Sequence, residues 1–212
     1  MIDLHTHILP GMDDGSKSTE ESIAMLMEEK RQGIDQVVLT SHFYAQQNSP
    51  RDFLMRRTES YNRLKASLPC DAPILHLGAE VQYFEGICQI DDLKSLTFDG
   101  NGTLLLEMPF RPWPSWAVRD VMELSTRQDL RLILAHIERY TQYAPKDVWP
   151  MFREAGIRMQ CNATFFLGWK TRRKALHMLR NKEIQFIASD CHNMSTRPPN
   201  LGDALTYIKN KI

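Results

Sequence analysis

The sequence predicts an α/β fold, a distorted seven-stranded (β/α)7 barrel with ligand-type residues clustered at the C-terminal ends of its strands. Three observations predict it. Seven short apolar runs alternate with helical patterns along the 212 residues. Most runs are nearly continuous apolar stretches, as expected of parallel strands covered on both faces. Most of them also end in an imidazole or a carboxylate. An open doubly wound sheet gathers its ligands at one switch point, whereas a barrel uses the ends of many strands. Seven strands instead of eight make the barrel distorted.

The first run, residues 2–7, ends in His5-Thr6-His7. Side chains at i and i+2 leave a strand from one face, so both imidazoles can point at one ion. The turn Asp13-Asp14-Gly15-Ser16 follows, then a helix opened by the capping box Ser18-x-x-Glu21 and closed by Gly33. Ile23, Leu26, Met27 and Lys30 share a face of that helix at 3–4 spacing. The second run, 36–42, ends in His42 and leads to a helix over 51–68. The third, 74–81, carries Glu80, and any helix near 90–96 is short. The fourth, 103–108, carries Glu107. It enters a proline- and aromatic-rich loop, 108–116, before a helix over 115–128. The fifth, 131–137, carries His136 and precedes a helix over 146–155. The sixth, 158–165, precedes a helix over 170–182. The seventh, 184–190, ends in Asp190-Cys191-His192, with a last helix over 199–211.

Length and composition agree with one domain over residues 1–212. Apolar residues are 42% and charged residues 25%, ordinary for a globular protein. Acids and bases balance at 26 each, so no overall field draws the chain to nucleic acid or to an anionic membrane. No stretch approaches the ~18 apolar residues of a membrane span, and the N-terminus enters the first strand without a signal-peptide pattern. The four cysteines show no Cys-x-x-Cys spacing, and a reducing cytoplasm is the expected location.

Five imidazoles (His5, His7, His42, His136, His192) and four carboxylates (Asp14, Glu80, Glu107, Asp190) stand as candidate ligands. Each has an ordinary explanation when taken alone. A histidine at a strand end is more often a structural hydrogen-bonder, Asp14 can cap its turn, and Asp190 can cap a helix. Independent structural causes are not expected to place such groups at the same end of so many strands. Nine donors exceed the need of one tetrahedral ion and suit two or three ions sharing a carboxylate. Carboxylates without thiolates favour manganese or iron, and zinc also fits. His76, inside the third run, and His177, mid-helix, read as structural or surface residues.

The residues resemble the polymerase and histidinol phosphatase (PHP) family. Within it they resemble the manganese-dependent protein tyrosine phosphatases of capsular and exopolysaccharide biosynthesis in Gram-positive bacteria. The shared stretches are Met1-Ile2-Asp3-Leu4-His5-Thr6-His7, Asp13-Asp14-Gly15-Ser16-Lys17-Ser18, Thr40-Ser41-His42, Gly78-Ala79-Glu80, Glu107-Met108-Pro109-Phe110, Ala135-His136-Ile137-Glu138-Arg139-Tyr140 and Ser189-Asp190-Cys191-His192-Asn193. The resemblance implies a PHP-type barrel holding three divalent ions, manganese first. It implies His5, His7, Glu80 and Asp190 at one site, a bridging Glu80 with Glu107 and His136 at a second, and Asp14, His42 and His192 at a third. Arg139 and Arg197 match catalytic arginines that bind the substrate phosphate. Relatives often carry more chain after the last matched helix, which puts the closing helix and assembly in question.

The implied activity is metal-dependent hydrolysis of phosphotyrosine on a bacterial tyrosine autokinase, by a metal-bridging hydroxide and without a phosphoenzyme. The aromatics Phe43, Tyr44, Phe110, Trp113 and Trp116 can flank the mouth or simply pack loops. Two other readings stay open. One is a small-molecule phosphatase of histidinol-phosphatase type, or a phosphodiesterase. The other is a non-catalytic, metal-stabilised regulatory protein. A homo-oligomer is compatible with all three. Cys191 through Arg197 also spells Cys-x5-Arg, the outline of a cysteine-dependent phosphatase loop. It has no glycine, and its cysteine sits between two candidate ligands, which disfavours that chemistry.

Overall fold

The computed structural model describes residues 1–212, the side chain of Asp91 apart. Strands β1 (Ile2–Thr6), β2 (Gln36–Leu39) and β4 (Ile74–Leu77) form one parallel sheet in the order β1-β2-β4. Strands β3 (His42–Phe43), β5 (Glu80–Gln82), β6 (Thr103–Glu107), β7 (Arg131–Leu134), β8 (Arg158–Asn162) and β9 (Phe186–Ala188) form a second, in that order. All pairings are parallel. The parallel α/β architecture agrees with the sequence reading. The strand count does not: there are nine strands in two sheets, not seven in one.

The difference arises at two places where an expected run breaks. Between β2 and β3 the chain spends Thr40 and Ser41 on other bonds. Thr40 N donates to Thr6 O at 2.9 Å, and its Oγ1 accepts from Thr6 N at 3.0 Å. Between β4 and β5 the break falls at Gly78, where a Cβ would lie 2.7 Å from the ring of Phe98. After β9 the chain returns to β1: Asp190 N donates to His5 O and His7 N to Cys191 O, each at 2.9 Å. A single parallel bridge, Thr6 with Cys191, marks the meeting.

Helices α1 (Thr19–Arg31), α2 (Pro50–Lys65), α3 (Ser115–Thr126), α4 (Val148–Glu154), α6 (Arg172–Arg180) and α7 (Leu201–Lys209) stand where helical periodicity places them. Ser18 caps α1 by accepting Glu21 N. Helix α5 (Ala163–Leu167) was not expected. The run 158–165 stops as a strand at Asn162, and its apolar end turns into a helix packed on α7. Apolarity alone does not separate a buried strand from a short buried helix.

Alternate strand residues serve two clusters, as the strand period of two requires. Leu104, Leu106, Leu132 and Leu134 pack under the helices, whereas Leu105 and Ile133 join Leu4, Val38, Phe98, Ala135 and Ala188 in a second cluster between strands. Burying each such leucine contributes roughly 1.5–3 kcal/mol. Among the described residues no helix is long and apolar enough to cross a membrane.

Candidate metal centre

Eight of the nine ligand candidates lie where a strand run breaks or finishes. His5 is in β1 and His7 just past it. His42 and Glu80 open the short continuations β3 and β5, and Glu107 closes β6. His136 follows β7, while Asp190 and His192 follow β9. Asp14 comes from the turn after β1. That turn folds back because Gly15 has no side chain: a Cβ there would lie 2.1 Å from His7 O. Ser16 N then reaches His7 O at 3.0 Å. His136 and Asp190 are two of the four non-glycine residues with positive φ, at +31° and +55°. Such backbone costs of order 1–3 kcal/mol and persists only where surroundings impose it.

The nine side chains converge. Ligand atoms of His5, His7 and Glu80 lie within 4.8 Å of one another, as do those of three further sets. These are His5, His136 and Asp190; His42, Glu80 and Glu107; and His7, Asp14, His42 and His192. Shared members join the sets into one cluster. Glu80 Oε2 lies 3.1 Å from His5 Nε2, 3.2 Å from His7 Nε2 and 3.1 Å from His42 Nδ1. It is nevertheless buried with no hydrogen-bond partner, as are His42 Nδ1 and His192 Nε2. Ligands about 2.1 Å from a common ion stand roughly 3.0–3.5 Å apart. Asp190 Oδ1 is 3.4 Å from both His5 Nε2 and His7 Nε2. Beyond them, His136 Nε2 is 2.9 Å from Glu80 Oε1 and 3.5 Å from Glu107 Oε1. Asp14 Oδ1 is 3.5 Å from His42 Nε2 and 3.3 Å from His192 Nε2.

Asp13 sharpens the case for cations. Its Oδ2 lies 2.8 Å from His7 Nδ1, so that nitrogen carries the hydrogen and Nε2 of the neutral ring keeps its lone pair. That lone pair faces His5 Nε2 at 3.2 Å and two carboxylate oxygens. Such a gathering of acceptors is repulsive without a positive charge among them. The residues therefore fit divalent ions. With protons alone, burial opposes the charge on His7, but Asp13, Asp190 and Glu80 outweigh it and hold its pKa well above the imidazole range. Burial likewise opposes charge on His136, yet Glu107, Glu80 and Asp190 push it up to about 10. Glu80 and Asp190 resist burial through the surrounding histidines and stay well below the carboxylate range. Metal ions replace such protons when they bind.

A cavity of about 300 Å³ opens over the cluster, walled in part by Tyr44, Gln82, Phe110, Arg139 and Arg197. That is the lower end of small-molecule sites. Arg197 Nη2 is 2.7 Å from Asp190 Oδ2, and Arg139 Nη1 is 3.8 Å from the same oxygen. The Arg139 guanidinium lies 4.4 Å above the Phe110 ring. Of the five aromatics read as flanking the mouth, only Tyr44 and Phe110 line it. Phe43 packs on Phe53, Trp113 stacks among Tyr140, Trp149 and Phe152, and Trp116 lies near Tyr83.

Cys191 is fully buried, and burial together with Glu29 and Asp3 pushes its thiol well above the usual range. It offers no thiolate. His76 pairs with Asp99 at 2.6 Å and His177 contacts Asn181 at 2.9 Å, both outside the centre. The sequence reading did not single out Asp13, Gln160 or Asn162 as supports of the cluster. The signal for the last two was a polar pair at i and i+2 inside an otherwise apolar run.

Over residues 1–212 the chain matches the family model for capsular polysaccharide synthesis, CpsB/CapC. It is 29% identical over 224 residues to the tyrosine-protein phosphatase CpsB of Streptococcus agalactiae serotype III (strain NEM316), covering 98% of this chain and 89% of that protein. It is 28% identical over 222 residues to the tyrosine-protein phosphatase YwqE of Bacillus subtilis (strain 168), covering 100% and 85%. Its fold is similar to a solved structure from the pair YwqE of Bacillus subtilis and CpsB of Streptococcus pneumoniae, described as metal-dependent tyrosine phosphatases. The TM-score is 0.81 at 24% identity, over 100% of this chain and 87% of that one.

Proposed function

The chain belongs to the capsular polysaccharide synthesis CpsB/CapC family, and from that membership and the geometry of its centre we propose that it is a metal-dependent protein-tyrosine phosphatase. The observation that carries this reading is the convergence of nine nitrogen and oxygen donors beneath a cavity bordered by two arginines and an aromatic ring. His5, His7, Glu80 and Asp190 would hold one ion. Glu80, Glu107 and His136 would hold a second, and Asp14, His42 and His192 a third. The carboxylate-rich, thiolate-free set favours manganese, with iron and zinc as alternatives. The meeting of β9 with β1 and the cluster between the strands support treating the two sheets as one distorted seven-stranded barrel.

Bound divalent ions supply Lewis acidity toward phosphoryl oxygens and make water a competent nucleophile near neutral pH. The chain's residues do the rest. Arg139 and Arg197 border the cavity, where guanidinium forks match phosphate oxygens and stabilise their charge in the transition state. An arriving phosphate exchanges with Asp190 Oδ2 for these arginines. Phe110, held under Arg139, offers its face to the tyrosine ring. Tyrosine leaves as a phenolate with a pKa near 10, which needs less acid assistance than an alkoxide. Among the described residues the cavity wall has no serine, threonine or cysteine, in keeping with direct attack by water and no phosphoenzyme. The substrate we infer is a phosphotyrosine-bearing tyrosine autokinase of capsule or exopolysaccharide synthesis, met in the cytoplasm.

A substrate panel on chelated and manganese-restored protein tests the reading. Phosphotyrosine hydrolysis should vanish on chelation and return with Mn2+, with phosphoserine and histidinol phosphate turned over more slowly. Activity that survives complete chelation would refute metal dependence, and a preference for histidinol phosphate would move the chain to the small-molecule phosphatases.

A further inference from the structure

Strand β8 brings no ligand to the centre, yet two of its side chains reach the ligands. Gln160 is fully buried and Asn162 nearly so. Gln160 Oε1 accepts the backbone N–H of His136 at 2.7 Å and lies 3.2 Å from His5 Nδ1. Gln160 Nε2 donates to Asn162 Oδ1 at 2.9 Å, and Asn162 Nδ2 donates to Asp190 Oδ2 at 2.7 Å. The two amides stand at i and i+2, on one face of the strand.

The direction of an amide is set by its neighbours, and here both ends are determined. The Asp190 carboxylate only accepts, so Asn162 must present its NH2 there. Asn162 Oδ1 then faces Gln160, which must answer with its own NH2. Gln160 Oε1 is left for the His136 N–H, which only donates, and for His5 Nδ1. An amide oxygen only accepts, so His5 Nδ1 carries hydrogen and Nε2 of the neutral ring keeps its lone pair. That Nε2 is the atom 3.1 Å from Glu80 Oε2 and 3.4 Å from Asp190 Oδ1.

We propose that Gln160 and Asn162 are positioning residues, an amide relay that sets the His5 tautomer, pins the left-handed His136 backbone and aims Asp190 into the centre. The relay rests on the metal-binding reading above. It touches His5, His136 and Asp190 and leaves Asp14, His42 and His192 alone. β8 thereby orients the centre without ligating it.

The test uses the full chain and Mn2+ itself. Binding isotherms and metal content after dialysis are measured for wild type, Gln160→Met, Gln160→Glu and Asn162→Ala. Histidine-selective 15N NMR of the proteins loaded with diamagnetic Zn2+ reads which His5 nitrogen carries hydrogen. Gln160→Met, which loses the accepting oxygen, should bind its weakened ions about 10–100-fold less tightly and show a mixed His5 tautomer. Gln160→Glu keeps an accepting oxygen toward His5 and His136 but loses the N–H donated to Asn162 Oδ1, so it should recover the Nδ1–H form and only part of the affinity. Asn162→Ala should weaken binding about tenfold with the His5 tautomer unchanged, and it carries the test if Gln160→Met does not fold. Unchanged affinity in Gln160→Met and Asn162→Ala, or equal weakening in the Met and Glu variants, overturns the relay. A wild type that binds no Mn2+ would instead defeat the metal reading itself.

Discussion

Asp13 Oδ2 lies 2.8 Å from His7 Nδ1 and accepts the backbone N–H of His42 at the same distance. One buried carboxylate thus orients two candidate ligands from different strands. Burial opposes its charge, but His7 and His42 hold its pKa well below the usual range. Asp13→Ala should lower Mn2+ affinity about 10–100-fold. Asp13→Asn, which retains an acceptor, should lower it less. Titration calorimetry of both variants checks the order, and equal losses would assign Asp13 to turn geometry alone.

Arg139 differs in kind, because it borders the cavity without offering a metal ligand. Arg139→Ala should lower kcat/KM for phosphotyrosine by about 10–100-fold, the value of one or two charge-assisted hydrogen bonds. Manganese content should stay at the wild-type level. Steady-state kinetics and elemental analysis on one preparation separate the two effects. Lost metal in that variant would show that Arg139 acts by holding Asp190.

Cys191 lies between two ligand candidates but is sealed from solvent, its thiol 3.8 Å from Glu29 Oε1. Cys191→Ser should leave turnover near wild type, and thiol-alkylating reagents should not inhibit the folded enzyme. Near-complete loss of activity in Cys191→Ser with metal retained would return the cysteine mechanism to consideration.

Glu29 predicts a pH dependence of stability. Burial first, then the charge of Asp3, pushes its carboxyl up from 4.5 to about 10, with Glu28 adding to the rise and Cys191 opposing it. Below the unfolded value both states hold the proton. Above it the unfolded chain releases the proton while the folded chain keeps it, so stability falls as pH rises toward the folded value. Glu29→Gln copies the protonated acid at every pH. Urea unfolding of metal-free protein should show the variant's advantage widening from about pH 5 to about pH 9. Parallel curves would mean that Glu29 ionises in the fold.

The helix at 19–31 was legible because cap, periodicity and stop signals agree locally, whereas those at 115–126 and 172–180 have no side-chain cap and were legible from periodicity alone. Strand positions were legible as apolar runs of the right length. The division of two runs into β2/β3 and β4/β5 was not. It depends on Thr40 bonding to Thr6, and on Phe98 occupying the space beside Gly78. The end of β8 at Asn162 was hidden because an apolar stretch suits a strand and a short helix alike.

Sequence alone determined which groups are available at the end of each strand run, because donor type and strand period are written in residue order. It did not determine how they are aimed. The 3.1–3.2 Å gathering of three imidazole nitrogens around Glu80 Oε2, the left-handed backbone of His136 and Asp190, and the tautomers imposed by Asp13 and Gln160 all join residues distant in the chain. Orientation at that scale is set by contacts across the fold, and only the tertiary structure decides it.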